Sequence, residues 1–393
     1  MKITGRADLI TPFYVMELLE KAKEMEAQGE DIVHMEVGEP DFTTPQMVKD
    51  EAIKAIISGE TYYTHSLGIT ELRQKISTFY KKSKGLTISP ERIVITNGTS
   101  GAFLLLAAVL LERGRTLAIS DPGYPCYRNF ALLADAEILT LPVSAETGYQ
   151  IVPEQIVNLK TGPDVLILCN PSNPTGSIYH EETIAQLHQI LSYRDGVLVV
   201  DEIYGGLTYG QTLRTALHLG DDIIVVNGFS KTHAMTGWRL GWMVVPQGLV
   251  RPIQKVAQNV FISPPSIAQR AALHAFDVDE DLAKMLRTYW ERKDFMVSRL
   301  RELGFSVPID PEGAFYVYAG IEKWGLDSME FVERALAEAK VAITPGYDFG
   351  SYQAGSHIRF SYANSLERLR EGCNRLEKWL KSQEDNGIAM LKR

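Results

Sequence analysis

The feature that most narrows what this chain can fold into is a series of short β-rich runs, most of them followed by a helix-length segment. The runs are Ile93–Thr96, Thr116–Ser120, Glu137–Leu141, Val165–Cys169, Val197–Asp201, Ile223–Asn227 and Leu240–Val245. VLILC and VLVV show no polar alternation, so both faces of those strands must be covered. Helical crossovers are the usual cover, which predicts a large α/β domain built on a mostly parallel sheet. Ahead of it the pattern predicts a helix near Thr11 to Gly29, an extended piece from Ile32 to Val37, turn chemistry in GEPDFTTP (Gly38 to Pro45) and a helix over 46–59. Behind it a long amphipathic helix spans Asp279 to Leu303. Strand-like GAFYVYAGI, helical SMEFVERALAEA, strand-like HIRFSYA and helical LERLREGCNRLEKWL then describe a smaller α+β domain, with the boundary in or near the long helix.

Composition removes whole classes of function. A chain of 393 residues suggests two or three structural units, and 45% hydrophobic with 23% charged residues is an ordinary globular balance. Lys and Arg number 40 against 49 Asp and Glu, and the net charge of −9 is spread without blocks, so no nucleic-acid partner is expected. The three cysteines, Cys126, Cys169 and Cys373, form no C-x-x-C pair and have no His at ligand spacing. That argues against a disulfide framework and against a metal site, and favours a reducing compartment. MKITGRADLI lacks the apolar core of a leader, and the longest apolar run, Ala102 to Leu111, is about half of the roughly 20 residues a membrane span needs. A soluble cytoplasmic protein with no membrane partner is expected. No internal repeat or low-complexity linker divides the chain.

In open parallel sheets ligands bind where strands end. After Ile93–Thr96 comes Asn97-Gly98-Thr99-Ser100-Gly101 and then AFLLLAAVLL, a small flexible turn at a helix N-terminus of the kind that binds phosphate. It matches neither the Walker pattern nor G-x-G-x-x-G, which leaves a small phosphorylated cofactor. After VLILC stands Asn170-Pro171-Ser172-Asn173-Pro174-Thr175-Gly176, after VLVV stands Asp201-Glu202-Ile203-Tyr204, and after IIVVN stands Gly228-Phe229-Ser230-Lys231, with Arg239 following in TGWRLGW. Alone, Asp201 could cap a helix, Asn173 could make an Asx-turn and Lys231 could be a solvated amine. Together they fit imine chemistry. An enclosed lysine can condense with an aldehyde cofactor. A carboxylate can keep a pyridine nitrogen protonated so that the ring accepts electrons from a substrate carbanion. A guanidinium can grip the phosphate, and amide and phenol donors can hold a ring oxygen.

The motifs NPSNPTG, DEIYGGL, SKTHAMTGWRLGW and IRFSYANS, in that order across nearly the whole chain, resemble the class I/II aminotransferases of the fold-type I, pyridoxal 5′-phosphate-dependent family. The resemblance implies that Lys231 is the Schiff-base lysine and proton shuttle, that Asp201 pairs with the pyridine nitrogen, and that Asn173 and Tyr204 serve the phenolic oxygen. It implies phosphate ligands in Ser230, Arg239 and the turn Gly98-Thr99-Ser100, and an aromatic ring, Tyr124 of DPGYPCY, stacked on the cofactor. Tyr63 (or its neighbour Tyr62) falls where the family sends a tyrosine to the neighbouring subunit's phosphate, implying a homodimer with shared active sites. Arg359, with Gly38 of VGEPDF and Asn173, falls where the family binds the α-carboxylate of the amino acid. The implied architecture is a large domain, 48–285, with a mostly parallel mixed sheet sandwiched by helices. The implied smaller α+β domain is formed by both chain ends, residues 1–47 and 286–393.

The expected reaction is ping-pong transfer of an amino group from an α-amino acid to a 2-oxo acid. A C–S β-lyase on the same fold is the alternative within the cofactor class. A non-enzymatic regulator domain is a third reading, disfavoured because only about 30 residues precede the first family motif, too few for a winged helix. The substrate side chain is not legible. A dicarboxylic preference needs a second cation, for which His65, Lys2 and Arg6 are the candidates; an apolar one would use Phe13, Tyr14, Tyr62 or Phe261, residues with an ordinary core role open to them.

Overall fold

A computed structural model describes residues 3–385. Its strands are β1 (Val33–His34), β2 (Ile93–Thr96), β3 (Thr116–Asp121), β4 (Glu137–Pro142), β5 (Val165–Cys169), β6 (Val197–Asp201), β7 (Ile224–Gly228), β8 (Gly241–Val244), β9 (Tyr316–Gly320), β10 (Val341–Ala342), β11 (Thr344–Pro345) and β12 (His357–Ser361). The seven runs read from the sequence form one sheet in the order β2-β8-β7-β6-β5-β3-β4. Neighbours from β4 to β7 pair in parallel, while β8 is antiparallel to both β2 and β7. The sheet is therefore mixed and mostly parallel.

The missing polar alternation has a direct cause. Leu166, Leu168, Leu198 and Val200 enter one hydrophobic core, whereas Val165, Ile167 and Val199 enter another on the opposite face. Successive side chains of a strand point to opposite faces, so a strand between two cores must be apolar at every position. The helix Gly98–Leu110 covers one face and is itself largely buried, which accounts for its nearly unbroken apolar sequence.

A third core surrounds a three-stranded antiparallel sheet, β11-β12-β9, backed by the helices Asp279–Leu303 and Leu366–Asp385. The short parallel pair β1 and β10 sets Val33 opposite Val341, so an early segment of the chain lies beside a late one. Three local readings need correction. The first predicted helix runs over Tyr14–Ala27 and not from Thr11, because a residue before proline is driven out of the α region and Pro12 follows Thr11. The second ends at Ile57. SMEFVERALAEA is α-helical only over Ser328–Arg334; Ala335–Ala339 form a wider π turn that ends at Lys340 with φ +59°.

Candidate active site

At the carboxyl ends of β5, β6 and β7 the chain encloses a cavity of about 170 Å3 lined by Asn173, Asp201, Tyr204, Lys231, Thr99, Tyr124 and, from the other sheet, Arg359. Asp201, the last residue of β6, is 3% exposed. Its Oδ2 accepts from Tyr127 Oη at 2.7 Å and its Oδ1 from the Ile203 amide at 3.1 Å. Burial nevertheless holds its carboxyl up at about 6, since those donors and the charge of Lys231 only partly replace the lost water. It can still take a cationic partner on the cavity side.

Lys231 follows β7, and its Nζ donates to the Gly38 carbonyl at 2.6 Å. Burial is the largest influence and pushes this amine down to about 8; Glu39 opposes the shift, Arg359 and Arg239 add to it, and Asp201 opposes it. Near neutral pH an appreciable fraction is thus within reach of the neutral, nucleophilic form.

The turn after β2 is shaped for an anion. Gly98 has φ +68°, and a Cβ there would stand 2.8 Å from Arg239 Nη2, so the guanidinium lies directly against the glycine. Asn97 gives the helix Gly98–Leu110 no side-chain cap, leaving first-turn N–H groups to other partners. Ser230 is buried beside Lys231, Thr99 lines the cavity, and Ser100 is exposed at the same helix end. An uncapped helix start, a guanidinium and three hydroxyl residues make a fitting seat for a phosphate group.

Arg359 sits on β12, the central strand of its sheet and not an edge, and is 3% exposed. Nη1 donates to Asn173 Oδ1 at 2.9 Å, and Nη2 to the Glu36 carbonyl at 2.6 Å and Thr344 Oγ1 at 3.3 Å. The guanidinium carbon lies 4.2 Å from the centre of the Tyr316 ring and 4.7 Å from that of Phe349. Arg359 Nε is buried without a hydrogen-bond partner. A buried guanidinium packed against two rings, with its Nε–H left over, is prepared to receive an anion.

Several expected residues thus converge, and two details differ from expectation. Tyr204 Oη is paired with Tyr316 Oη at 2.8 Å, an arrangement the sequence did not suggest. At Gly38 a Cβ would lie 2.1 Å from that same Tyr316 Oη, so the glycine is required first by the tyrosine. Tyr63 is 79% exposed and outside the cavity lining. The Asn173–Pro174 peptide is cis. Tyr127, Tyr316, Phe349 and Thr344 were missed; only Tyr127, one helical turn beyond Tyr124, carried a local signal. Among the described residues no cluster of His, Cys, Asp and Glu could hold a metal ion, and no helix is long and apolar enough to cross a membrane.

The fold and this convergence of lysine, carboxylate and arginines define a protein of the fold-type I aminotransferase class. The family model for aminotransferase class I and II matches residues 30–376, and the chain belongs to that family. It is 37% identical to the (5-formylfuran-3-yl)methyl phosphate transaminase of Methanocaldococcus jannaschii, over 94% of this chain and 96% of that one. It is 35% identical to the aspartate aminotransferase of Thermotoga maritima, again over 94% and 96%. The crystal structure of an aminotransferase from Mycobacterium tuberculosis superposes with a TM-score of 0.93 at 34% identity, covering 98% of this chain and 100% of that one. The chain is an aminotransferase.

Proposed function

We propose that this aminotransferase uses pyridoxal 5′-phosphate and moves the amine of an α-amino acid to a 2-oxo acid in two half-reactions at one site. The observation that carries the reading is the enclosed Lys231 amine, pushed down to about 8 and sharing its cavity with the buried Asp201 carboxyl and with Arg359. Gly98, Thr99, Ser100, Ser230 and Arg239 would hold the phosphate, Tyr124 the ring face, Asp201 the ring nitrogen, and Asn173 with Tyr204 the ring oxygen. When bound, the cofactor supplies an aldehyde that takes up the amine and a ring that accepts the electron pair released at Cα.

The chain's own residues do the rest. Arg359 fixes the α-carboxylate together with Asn173 and the Gly38 segment. In the first half-reaction Lys231 would move the proton from Cα to the cofactor carbon that takes up the amine, and in the second it would move it back to the Cα of the incoming oxo acid, so that one amino acid leaves as its oxo acid and a second oxo acid leaves as its amino acid. The bond of Tyr204 to Tyr316 orients the phenol. Burial holds the Tyr204 hydroxyl well above its ordinary pKa and so keeps it a donor.

The proposed assembly is a homodimer in which Tyr63 reaches the partner's phosphate site. Ile53, Ile56 and Ile57 on one helix, Tyr62 and Tyr63 after it, and Val260 and Ile262 are exposed large side chains. The Thr64 amide bonds Ser263 Oγ, which brings the Tyr62–Tyr63 segment beside Ile262. Such an apolar grouping suits a partner surface. The division into residues 1–47 with 286–393 and residues 48–285 is proposed on the ground that β1 pairs with β10. A cytoplasmic location suits three free thiols.

The test is a panel of amino donors against 2-oxoglutarate and pyruvate with the cofactor-loaded protein. Transfer with parallel-line kinetics is expected, and Lys231→Ala should abolish it while circular dichroism stays unchanged. Absence of transfer from every common amino acid, or an active Lys231→Ala protein, would sink the proposal.

A further inference from the structure

Part of the cavity wall that carries no assigned role is apolar. Once the residues assigned to cofactor and α-carboxylate are set aside, Phe13, Val15 and Met16 at the start of the helix Tyr14–Ala27 and Val37 beyond β1 remain, together with Ile203, Cys169 and the phenols Tyr127 and Tyr316, which are bonded to Asp201 and Tyr204. Among the described residues the only cations lining this cavity are Lys231 and Arg359, and both are already engaged. Two of the three cations the sequence offered as alternatives are engaged with other groups of the chain. Arg6 bonds the Leu133 carbonyl and pairs with Asp135. His65 bonds the Leu67 amide and Gln254. Lys2 lies outside the described residues.

Two acidic residues adjoin the segments that form this wall. Asp348 Oδ1 accepts the amide of Tyr14, at the first turn of the helix that carries Val15 and Met16, at 2.9 Å, and its Oδ2 is buried without a partner. Glu39 follows Gly38 and acts electrostatically on Lys231. A second carboxylate pressed against Phe13, Val15 and Val37 would lose its water and meet no cation beyond the two already engaged.

We infer that the amino donor carries an apolar side chain, branched or aromatic, in place of a second carboxylate. This rests on the proposed role of Arg359 as the α-carboxylate anchor. A site of this kind favours the apolar donor by about a hundredfold or more, because an unpaired buried charge costs more than a missing methylene gains. Met16, 45% exposed, is the position where a cation could be added without opening the core.

The experiment measures kcat/KM of the cofactor-loaded enzyme for L-leucine, L-phenylalanine, L-aspartate and L-glutamate with one saturating oxo acid. In parallel, calorimetry compares binding of the unreactive acids 4-methylpentanoate and 3-phenylpropionate with that of succinate and glutarate. Leucine or phenylalanine about a hundredfold above both acidic donors, with tighter binding of the monocarboxylates, is the expected result. Acidic donors equal to or above apolar ones, or dicarboxylates binding more tightly, overturn the inference while leaving the aminotransferase site intact. No transfer from these four or from any other common amino acid overturns that site instead, and the calorimetry still decides the preference. Met16→Arg should shift the ratio toward glutamate by about tenfold or more; an unchanged ratio overturns the assignment of this wall.

Discussion

The two main sheets contribute to the site in opposite ways. The seven-stranded sheet acts through its ends: Asn173, Asp201 and Lys231 all stand at or beyond the last residue of a parallel strand. The three-stranded antiparallel sheet acts through its face, since Arg359 projects from the middle of β12 opposite Tyr318 of β9. A parallel sheet buried on both faces can expose polar groups only where its strands stop. An antiparallel sheet can turn one residue of a central strand toward a ligand and keep its neighbours Ile358 and Phe360 in the core. In the proposed site, cofactor chemistry would fall to one body of structure and carboxylate recognition to the other, with the Asn173–Arg359 hydrogen bond joining them.

That separation can be broken most sharply at Arg359. Arg359→Lys keeps a charge but loses the fork that bonds Asn173 and Glu36 at once. We expect kcat/KM for the donor to fall roughly 10²–10³-fold with the bound-cofactor absorbance retained; loss of the cofactor would show that the two sheets do not divide the work.

Gly98→Ala probes the other side. It forces a Cβ toward Arg239 at a left-handed φ, at a stability cost of about 1–2 kcal/mol. Cofactor affinity, measured by absorbance titration, should weaken about tenfold and the KM for the donor should stay close to that of the parent protein.

The smallest effect concerns Glu202, which points away from Asp201's cavity and accepts from the Ala216 amide at 2.8 Å. Burial raises its carboxyl to about 7 from the ordinary 4.5. Between those values the folded chain holds a proton that the unfolded chain has released, so stability falls as pH rises through the window. Denaturation of Glu202→Gln at pH 5 and pH 8 should show a drop smaller than that of the parent protein by on the order of 1 kcal/mol. An equal drop would mean that the strand end after β6 carries only one perturbed carboxyl.

Much of the site was legible because its residues follow apolar strands, and a strand end is a local signal. The seven strand runs needed only boundary adjustments, such as Ile224–Gly228 in place of Ile223–Asn227. The partners were not legible. Tyr316 lies in an aromatic run that reads as core, yet its hydroxyl meets both Tyr204 and Gly38. Glu36 and Thr344 contribute a backbone carbonyl and a hydroxyl to Arg359, groups that every sequence offers many times over. The π turn at Ala335–Ala339 escaped notice because its sequence keeps an ordinary helical period.

By itself, then, the amino-acid order determined the alternation of strand and helix, the two-sided burial of the central strands and the inventory of amine, carboxylate, amide and guanidinium groups at their ends. These follow from periods of two and 3.6 residues and from turn residues, all of them short-range. Only the tertiary structure decided that Lys231 meets the carbonyl of Gly38, 193 residues away, and that Arg359 meets Asn173 across 186. It also decided that the lining beside them includes Phe13, Val15, Met16 and Val37. Strand order, register and the packing of one sheet against another set those meetings, and no local pattern encodes them.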